Sequence, residues 1–207
     1  MKKSLGILIF LLSAITWSCK DDVSPVIVLE GDKDMKLVLN KPYVEPGFSA
    51  FDDKDGEITE SVEVTSIDVN MAGEQTITYR VTDAEGNEGL ATRQVTVFNE
   101  ISDLAGTWSG EYVSPYPGIN KKTYAEVIEL STTVNKGIVF KNFGGNAGAN
   151  VVATIAGMSL NTSLSFGTQT VAGGNLTVES AVLENRNRIT LEYTIGSAKG
   201  VLVLIKN

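Results

Sequence analysis

The chain has 207 residues, a formal net charge of −8, no histidine and a single cysteine. Those counts exclude an intrachain disulfide, zinc centres built from His and Cys, Ser-His-Asp and Cys-His nucleophiles, and haem held by histidine. Acid–base chemistry would fall to carboxylates, lysine or tyrosine, and the lack of a basic stripe excludes nucleic acid as a partner.

Residues 1–18 read as a secretory signal peptide. Lys2 and Lys3 precede an apolar run from Leu5 to Ile15, followed by the small residue Ser18. The run is too short to cross a hydrocarbon core, which takes ~20 residues. Cys19 then becomes the lipid-modified first residue of the mature chain, which resolves the oddity of a lone thiol in an exported protein. Ser18-Cys19 resembles a lipobox, and Thr16 and Trp17, standing where Leu and a small residue are usual, resemble the loose lipoboxes of the Bacteroidetes. Lys20-Asp21-Asp22 resembles the short charged export signal of surface lipoproteins in that phylum. These resemblances imply an outer-membrane lipoprotein facing outward, with residues 19–23 as anchor and tether.

Charge divides the rest of the chain. Residues 20–100 hold seven Lys/Arg against eighteen Asp/Glu, whereas residues 101–207 hold eight against seven. The shift places a linker at residues 100–103, between a first domain at 24–99 and a second at 104–207. In the first, strands are expected at Val26–Leu29, Lys36–Leu39, Phe48–Phe51 and Val62–Ile67. Ile77, Tyr79 and Val81 alternate with polar neighbours, as do Val95 and Val97. With the turn segment Asp83-Ala84-Glu85-Gly86-Asn87 between them, they predict a hairpin. Roughly seven short strands in about 80 residues suit a β-sandwich. The ordered set Tyr43-Val44-Glu45-Pro46-Gly47-Phe48, Asp52-Asp53-Lys54-Asp55-Gly56-Glu57-Ile58-Thr59, Gly73-Glu74-Gln75-Thr76 and Asp83-Ala84-Glu85-Gly86-Asn87 resembles a bacterial immunoglobulin-like domain. Its kin are the pesticidal-crystal-protein, PKD and HYR modules, and the resemblance implies a spacer or interaction module without chemistry.

The acidic residues of this domain raise one metal candidate. Asp52, Asp53 and Asp55, with Asp83, offer the oxygen donors that calcium prefers. An EF-hand register fails, because it puts Phe51 at the first ligand position and Val62 at the bidentate one. The same aspartates also suit turns in which carboxylates accept from nearby backbone N–H groups, so no cofactor is required.

The second domain shows strand patterns at Thr107–Val113, Thr123–Leu130, Gly137–Lys141, Val151–Ile155, Ser159–Leu164, Asn175–Leu183, Arg188–Ile195 and Gly200–Ile205. Eight strands with short loops suit an up-and-down barrel or a rolled antiparallel sheet. Leu104-Ala105-Gly106-Thr107-Trp108-Ser109-Gly110-Glu111-Tyr112 resembles the entry strand of lipocalin-like barrels, where a tryptophan plugs the closed end. Asn175-Leu176-Thr177-Val178 and Arg188-Ile189-Thr190-Leu191-Glu192-Tyr193 resemble the closing hairpin of small lipocalin-like domains in Bacteroides lipoproteins. The expected fold class is all-β: an immunoglobulin-like β-sandwich followed by a small lipocalin-like β-barrel or rolled antiparallel sheet.

Tyr112, Tyr116 and Tyr124 are the candidate ligand-binding residues, since aromatic faces stack on sugar rings. Tyr116 sits in the stiff loop Ser114-Pro115-Tyr116-Pro117-Gly118. Trp108 reads as core. Glu111, Glu126, Glu129 and Glu192 are the carboxylates from which a hydrolytic pair would be drawn, and glutamates on the wet face of strands are ordinary. The glycine-rich stretch from Phe143 to Gly148 reads as a loop, because no helix follows to cradle a phosphate. The expected function is non-enzymatic: an accessory binding or presentation module beside outer-membrane glycan uptake, meeting a polysaccharide or an outer-membrane protein complex. Two alternatives stand beside it. One is a carrier of a small apolar ligand in a cavity lined by residues such as Val127, Ile138, Phe140, Val152 and Leu191. The other is a structural lipoprotein that docks on a membrane partner.

Overall fold

The computed structural model describes residues 21–113, 122–171 and 173–207. The expectations attached to Cys19, Lys20 and Tyr116 lie outside these residues. The first domain is a two-sheet sandwich of seven strands: β1 (Val26–Leu29), β2 (Asp34–Val38), β3 (Phe48–Asp52), β4 (Gly56–Glu57), β5 (Glu63–Val64), β6 (Gly73–Thr82) and β7 (Glu88–Phe98). One sheet has the order β1-β3-β4, the other β2-β7-β6-β5, with β2 parallel to β7. Alternation decides which side chains fill the gap between the sheets. Ile77, Tyr79, Val95 and Val97 point inward with Leu39, and Phe48 sets its ring edge-on to Tyr79 at 5.2 Å.

The strand expected over residues 62–67 shrinks to Glu63–Val64. Val62 and Ile67 both pack on the core. They are five positions apart, and a continuous strand returns to one face only at even spacings, so the segment leaves regular pairing between them.

Beyond β7 the chain runs straight into the second domain. Ile101 and Leu104 are fully buried in the second domain's core, so the segment assigned to a linker is a packed connection. Nine strands follow: β8 (Gly106–Val113), β9 (Lys122–Leu130), β10 (Gly137–Phe140), β11 (Val151–Ile155), β12 (Asn161–Ser165), β13 (Gln169–Val171), β14 (Gly174–Glu184), β15 (Arg188–Ile195) and β16 (Ala198–Lys206). They form one antiparallel sheet, β12-β11-β10-β9-β8-β16-β15-β14, which closes into an eight-stranded barrel when β12 pairs with β14 through Thr162 and Leu183. The short β13 extends the start of β14. Closure removes the exposed edges that an open sheet would carry.

The barrel interior is packed with buried side chains, among them Trp108, Ile128, Ile138, Phe140, Leu183, Leu191 and Leu204. Trp108 plugs the end nearest the sandwich, its indole N–H donating to the Leu104 carbonyl at 3.0 Å. Two residues proposed for a carrier cavity are on the wrong face. Val152 is exposed, and Val127 is the outward neighbour of the buried Glu126 and Ile128. The other three, Ile138, Phe140 and Leu191, belong to the packed interior.

A polar joint fixes the two domains together. The Asn99 side-chain amide donates to the carbonyls of Ser131, Val134 and Gly137, each at 3.1 Å. Its oxygen accepts the Lys136 N–H at 2.9 Å. The same loop reaches the sandwich through Asn135 N–H to Asn40 Oδ1 at 2.8 Å and through the Thr132 carbonyl, which accepts from Ala72 N–H at 2.7 Å. Arg186 pairs with Asp103 beside it.

Candidate functional site

Strand direction sorts the candidate residues between the two ends of the molecule. β7 ends at the joint, so the Asp83–Asn87 turn that precedes it lies at the sandwich's far end. β8 starts at the joint, so Tyr112 lies at the barrel's far end, with the end of β15 and the start of β16.

At that barrel mouth, inward-facing Tyr112 approaches Tyr193 with ring centroids 6.4 Å apart, and Phe143 meets Tyr193 edge-on at 5.0 Å. Gly200 makes this arrangement possible. A Cβ there would fall 2.6 Å from the Tyr112 ring and 2.9 Å from that of Tyr193. Gly144, at φ 65°, folds a tight turn under the Tyr193 hydroxyl, where a Cβ would come within 2.9 Å. The glycine-rich stretch is thus a wall of the mouth. Tyr112, Lys122, Gly144, Asn146, Tyr193 and Lys199 line an open cleft of about 350 Å³. Burial and the nearby Tyr112 push the Tyr193 phenol up to about 12, so it stays a neutral donor.

Below the mouth lies Glu126, fully buried and facing inward. Its Oε1 accepts the N–H groups of Asn142 at 2.7 Å and Val127 at 3.1 Å, and the Tyr124 hydroxyl donates to Oε2 at 3.4 Å. Burial still outweighs these bonds and raises the Glu126 pKa. Burial and the Glu126 charge likewise raise that of Tyr124. The Tyr124 ring lies across Gly110 and Gly145, where added Cβ atoms would sit 2.6 and 3.4 Å away. Tyr124 therefore forms the wall, and Tyr112 reaches the cleft. Among the four glutamates considered for hydrolysis, only Glu126 faces inward. Glu111, Glu129 and Glu192 alternate to the outer wall, so these four do not flank a common bond.

The sandwich places its candidate aspartates at the other pole. Carboxylate oxygens of Asp21, Asp52 and Asp53 lie within 4.8 Å of one another, and so do those of Asp21, Asp83 and Glu85. Asp55 is in neither group; its Oδ2 accepts the Ala84 N–H at 2.7 Å. Asp83 accepts from the Asn87 backbone and side-chain amides, each at 2.7 Å. Burial acts to raise its pKa, but these and neighbouring N–H bonds win and lower it. Asp21, expected to act with Asp22 in an export signal, is buried against this pole, whereas Asp22 is exposed.

Sequence reasoning passed over one buried polar assembly. Arg93 is wholly buried between the sheets. Its guanidinium donates to Glu45 Oε1 at 3.1 Å, to the Glu30 carbonyl at 2.8 Å, to the Tyr79 hydroxyl at 3.1 Å and to the Asp32 carbonyl. Glu45 also accepts from the Tyr43 hydroxyl at 2.9 Å, Tyr79 at 2.5 Å and Gly47 N–H at 3.2 Å. Burial works to raise the Glu45 pKa, yet these hydrogen bonds and the Arg93 charge hold it below the ordinary range. The Tyr43–Phe48 motif thus completes the shell around a buried arginine, and its role is structural.

No curated protein matches the chain. Among solved structures, a lipoprotein from Bacteroides thetaiotaomicron aligns over 88% of this chain and 100% of its own, at 19% identity and a TM-score of 0.41. A Clostridium perfringens structure, carbohydrate-binding module CBM51-2 in complex with GlcNAc together with INT domains of ZmpB, aligns over 88% of this chain at 14% identity and a TM-score of 0.31; the chain spans 44% of its length. Over residues 27–97 the chain matches the family described as bacterial surface protein, Ig-like domain; its architecture is that of an immunoglobulin-like domain followed by a closed antiparallel barrel.

Proposed function

We propose that the protein is a non-enzymatic, outward-facing outer-membrane lipoprotein whose immunoglobulin-like domain holds the barrel mouth out to bind polysaccharide. The observation that carries this reading is placement. The N-terminal segment enters at the sandwich's far pole, the joint is bonded from both sides, and the open cleft beside Tyr112 and Tyr193 lies at the opposite end of the barrel. The half-buried Tyr112 face offers apolar area to a sugar ring with the buried Tyr193 packed behind it, and the Lys122 and Lys199 side chains and Asn146 offer donors at the rim. The packed interior leaves the mouth as the place for a ligand and argues against a carrier that encloses one. A role beside glycan-uptake machinery fits such a display device.

The test is native affinity electrophoresis of residues 20–207 against a polysaccharide panel, with Tyr112→Ala alongside. The reading predicts retardation by at least one glycan and its loss in the variant, with the Trp108 fluorescence of the folded barrel preserved. Absence of retardation across the panel, or full retention by Tyr112→Ala, contradicts it.

A further inference from the structure

The acidic pole of the sandwich contains two buried carboxylate oxygens without a partner among the described residues. Asp21 and Asp52 are each 1% exposed, and among the described residues Asp21 Oδ2 and Asp52 Oδ1 have no hydrogen-bond partner. A buried carboxylate oxygen left this way is costly. Turn chemistry accounts for the other halves of these groups only. Asp52 Oδ2 accepts the N–H groups of Lys54 at 2.9 Å and Asp55 at 3.0 Å, and Asp21 Oδ1 accepts that of Val23 at 3.0 Å. The Lys54 ammonium lies 3.6 Å from the same Asp21 Oδ1 and is 38% exposed. It offsets part of the charge without reaching the orphaned oxygens.

We propose that this pole is a calcium site in which Asp21 bridges Asp52 and Asp53 on one side and Asp83 and Glu85 on the other. The donor set decides the ion. Every candidate ligand is a carboxylate from a loop, the end of β3 or the segment before β1, which suits a hard cation that takes six to eight oxygens in adaptable geometry. Zinc prefers nitrogen and sulfur, and magnesium demands a stricter octahedron and keeps its waters. The site has a structural consequence. Asp21 is two residues beyond Cys19, and its carbonyl already accepts from the Asn87 side chain at 3.0 Å. A bound ion staples the incoming segment to the sandwich and fixes the direction in which the molecule leaves its anchor.

The experiment is calorimetric titration of residues 20–207 with calcium chloride, paired with thermal unfolding in millimolar calcium, in magnesium and in chelator. Asp21→Asn and Asp53→Asn are run in parallel. Binding is expected in the range of extracellular modules, ~10⁻⁴–10⁻³ M, with the sandwich transition raised by several degrees in calcium alone. Asp21→Asn should weaken binding by about tenfold or more while unfolding in chelator no earlier than the parent. Asp53→Asn, at an exposed position, should weaken binding less. No heat and identical transitions in calcium and chelator would overturn the proposal and leave Lys54 as the counter-ion. An equal response to magnesium, or undiminished binding in Asp21→Asn, would overturn it as well.

Discussion

The two domains solve the same problem, closing a β core, with opposite means. The sandwich is thin in buried apolar residues and builds its centre around an ion pair, Arg93 with Glu45, ringed by tyrosine hydroxyls and backbone carbonyls. The barrel encloses a far larger apolar core and admits one buried carboxylate, Glu126. Glu45 is surrounded by donors and a cation, so its charge is favoured. Glu126 is wholly buried and, among the described residues, accepts backbone N–H groups but meets no cation, so burial disfavours its charge. Whether an acid packed against a β core stabilises a domain thus depends on what surrounds it as well as on burial: Glu45 is half-buried among donors and a cation, Glu126 wholly buried.

The largest effect that would break or sharpen this contrast is expected from Glu45→Ala. It strands the Arg93 charge in the core, which costs about 3–5 kcal/mol. Trp108 is the sole tryptophan of residues 20–207, because the chain's other tryptophan is Trp17. Denaturation followed by Trp108 fluorescence therefore reports the barrel, and far-UV circular dichroism reports both domains. The sandwich transition should move to lower denaturant while the tryptophan transition moves little. Movement of both together would mean that the domains share one cooperative core.

Asn99→Ala comes next. It removes the hub of the joint, taking a donor from the carbonyls of Ser131, Val134 and Gly137, of which the last two keep a backbone N–H, and leaving the Lys136 N–H without its Asn99 acceptor, a loss of about 1–3 kcal/mol. The expected signature is a wider separation between the two transitions. An unchanged separation would show that the joint does not couple the domains.

The smallest effect is in pH, and it has opposite signs in the two domains. The Glu45 pKa is lowered, so its stabilisation is present above the ordinary value of 4.5 and is lost as pH falls through the folded value. The Glu126 pKa is raised, so its contribution is full below 4.5 and is lost as pH rises through its folded value. Acidification from neutrality should therefore first favour the barrel and then, below about pH 4.5, weaken the sandwich. Glu126→Gln should raise the barrel's melting temperature by a few degrees at neutral pH and flatten its dependence on acid. A variant that melts earlier at neutral pH would show that the ionised form is the stabilising one.

Alternation made most strands legible in the sequence, and β11 and β15 match the expected ranges residue for residue. Alternation divides a strand into two faces but does not say which is inward when both faces carry apolar and polar residues. In β9 the apolar Val127 points out, and the charged Glu126 points in because Asn142, sixteen residues away, supplies an N–H. No local pattern carries that information. Arg93 was hidden for the same reason, since its partners come from residues 30, 32, 45 and 79. The tyrosine candidates separated only in three dimensions. Tyr112 lines the cleft, Tyr124 is wall, and Tyr193 joined them through a bare Gly200 that the sequence presents as an ordinary glycine in a strand. Asp21 looked like part of a charged tether, and its burial results from the way the segment before β1 lies against the Asp52 and Asp83 turns.

The central claim, that ligand binding is at the barrel mouth and away from the anchor, is tested most directly by hydrogen exchange on residues 20–207 with and without the polysaccharide panel. The account predicts slowed exchange in peptides carrying Tyr112 and the Tyr193–Lys199 turn, with the sandwich unchanged. Protection confined to the sandwich, or none in the mouth with any glycan, would contradict it.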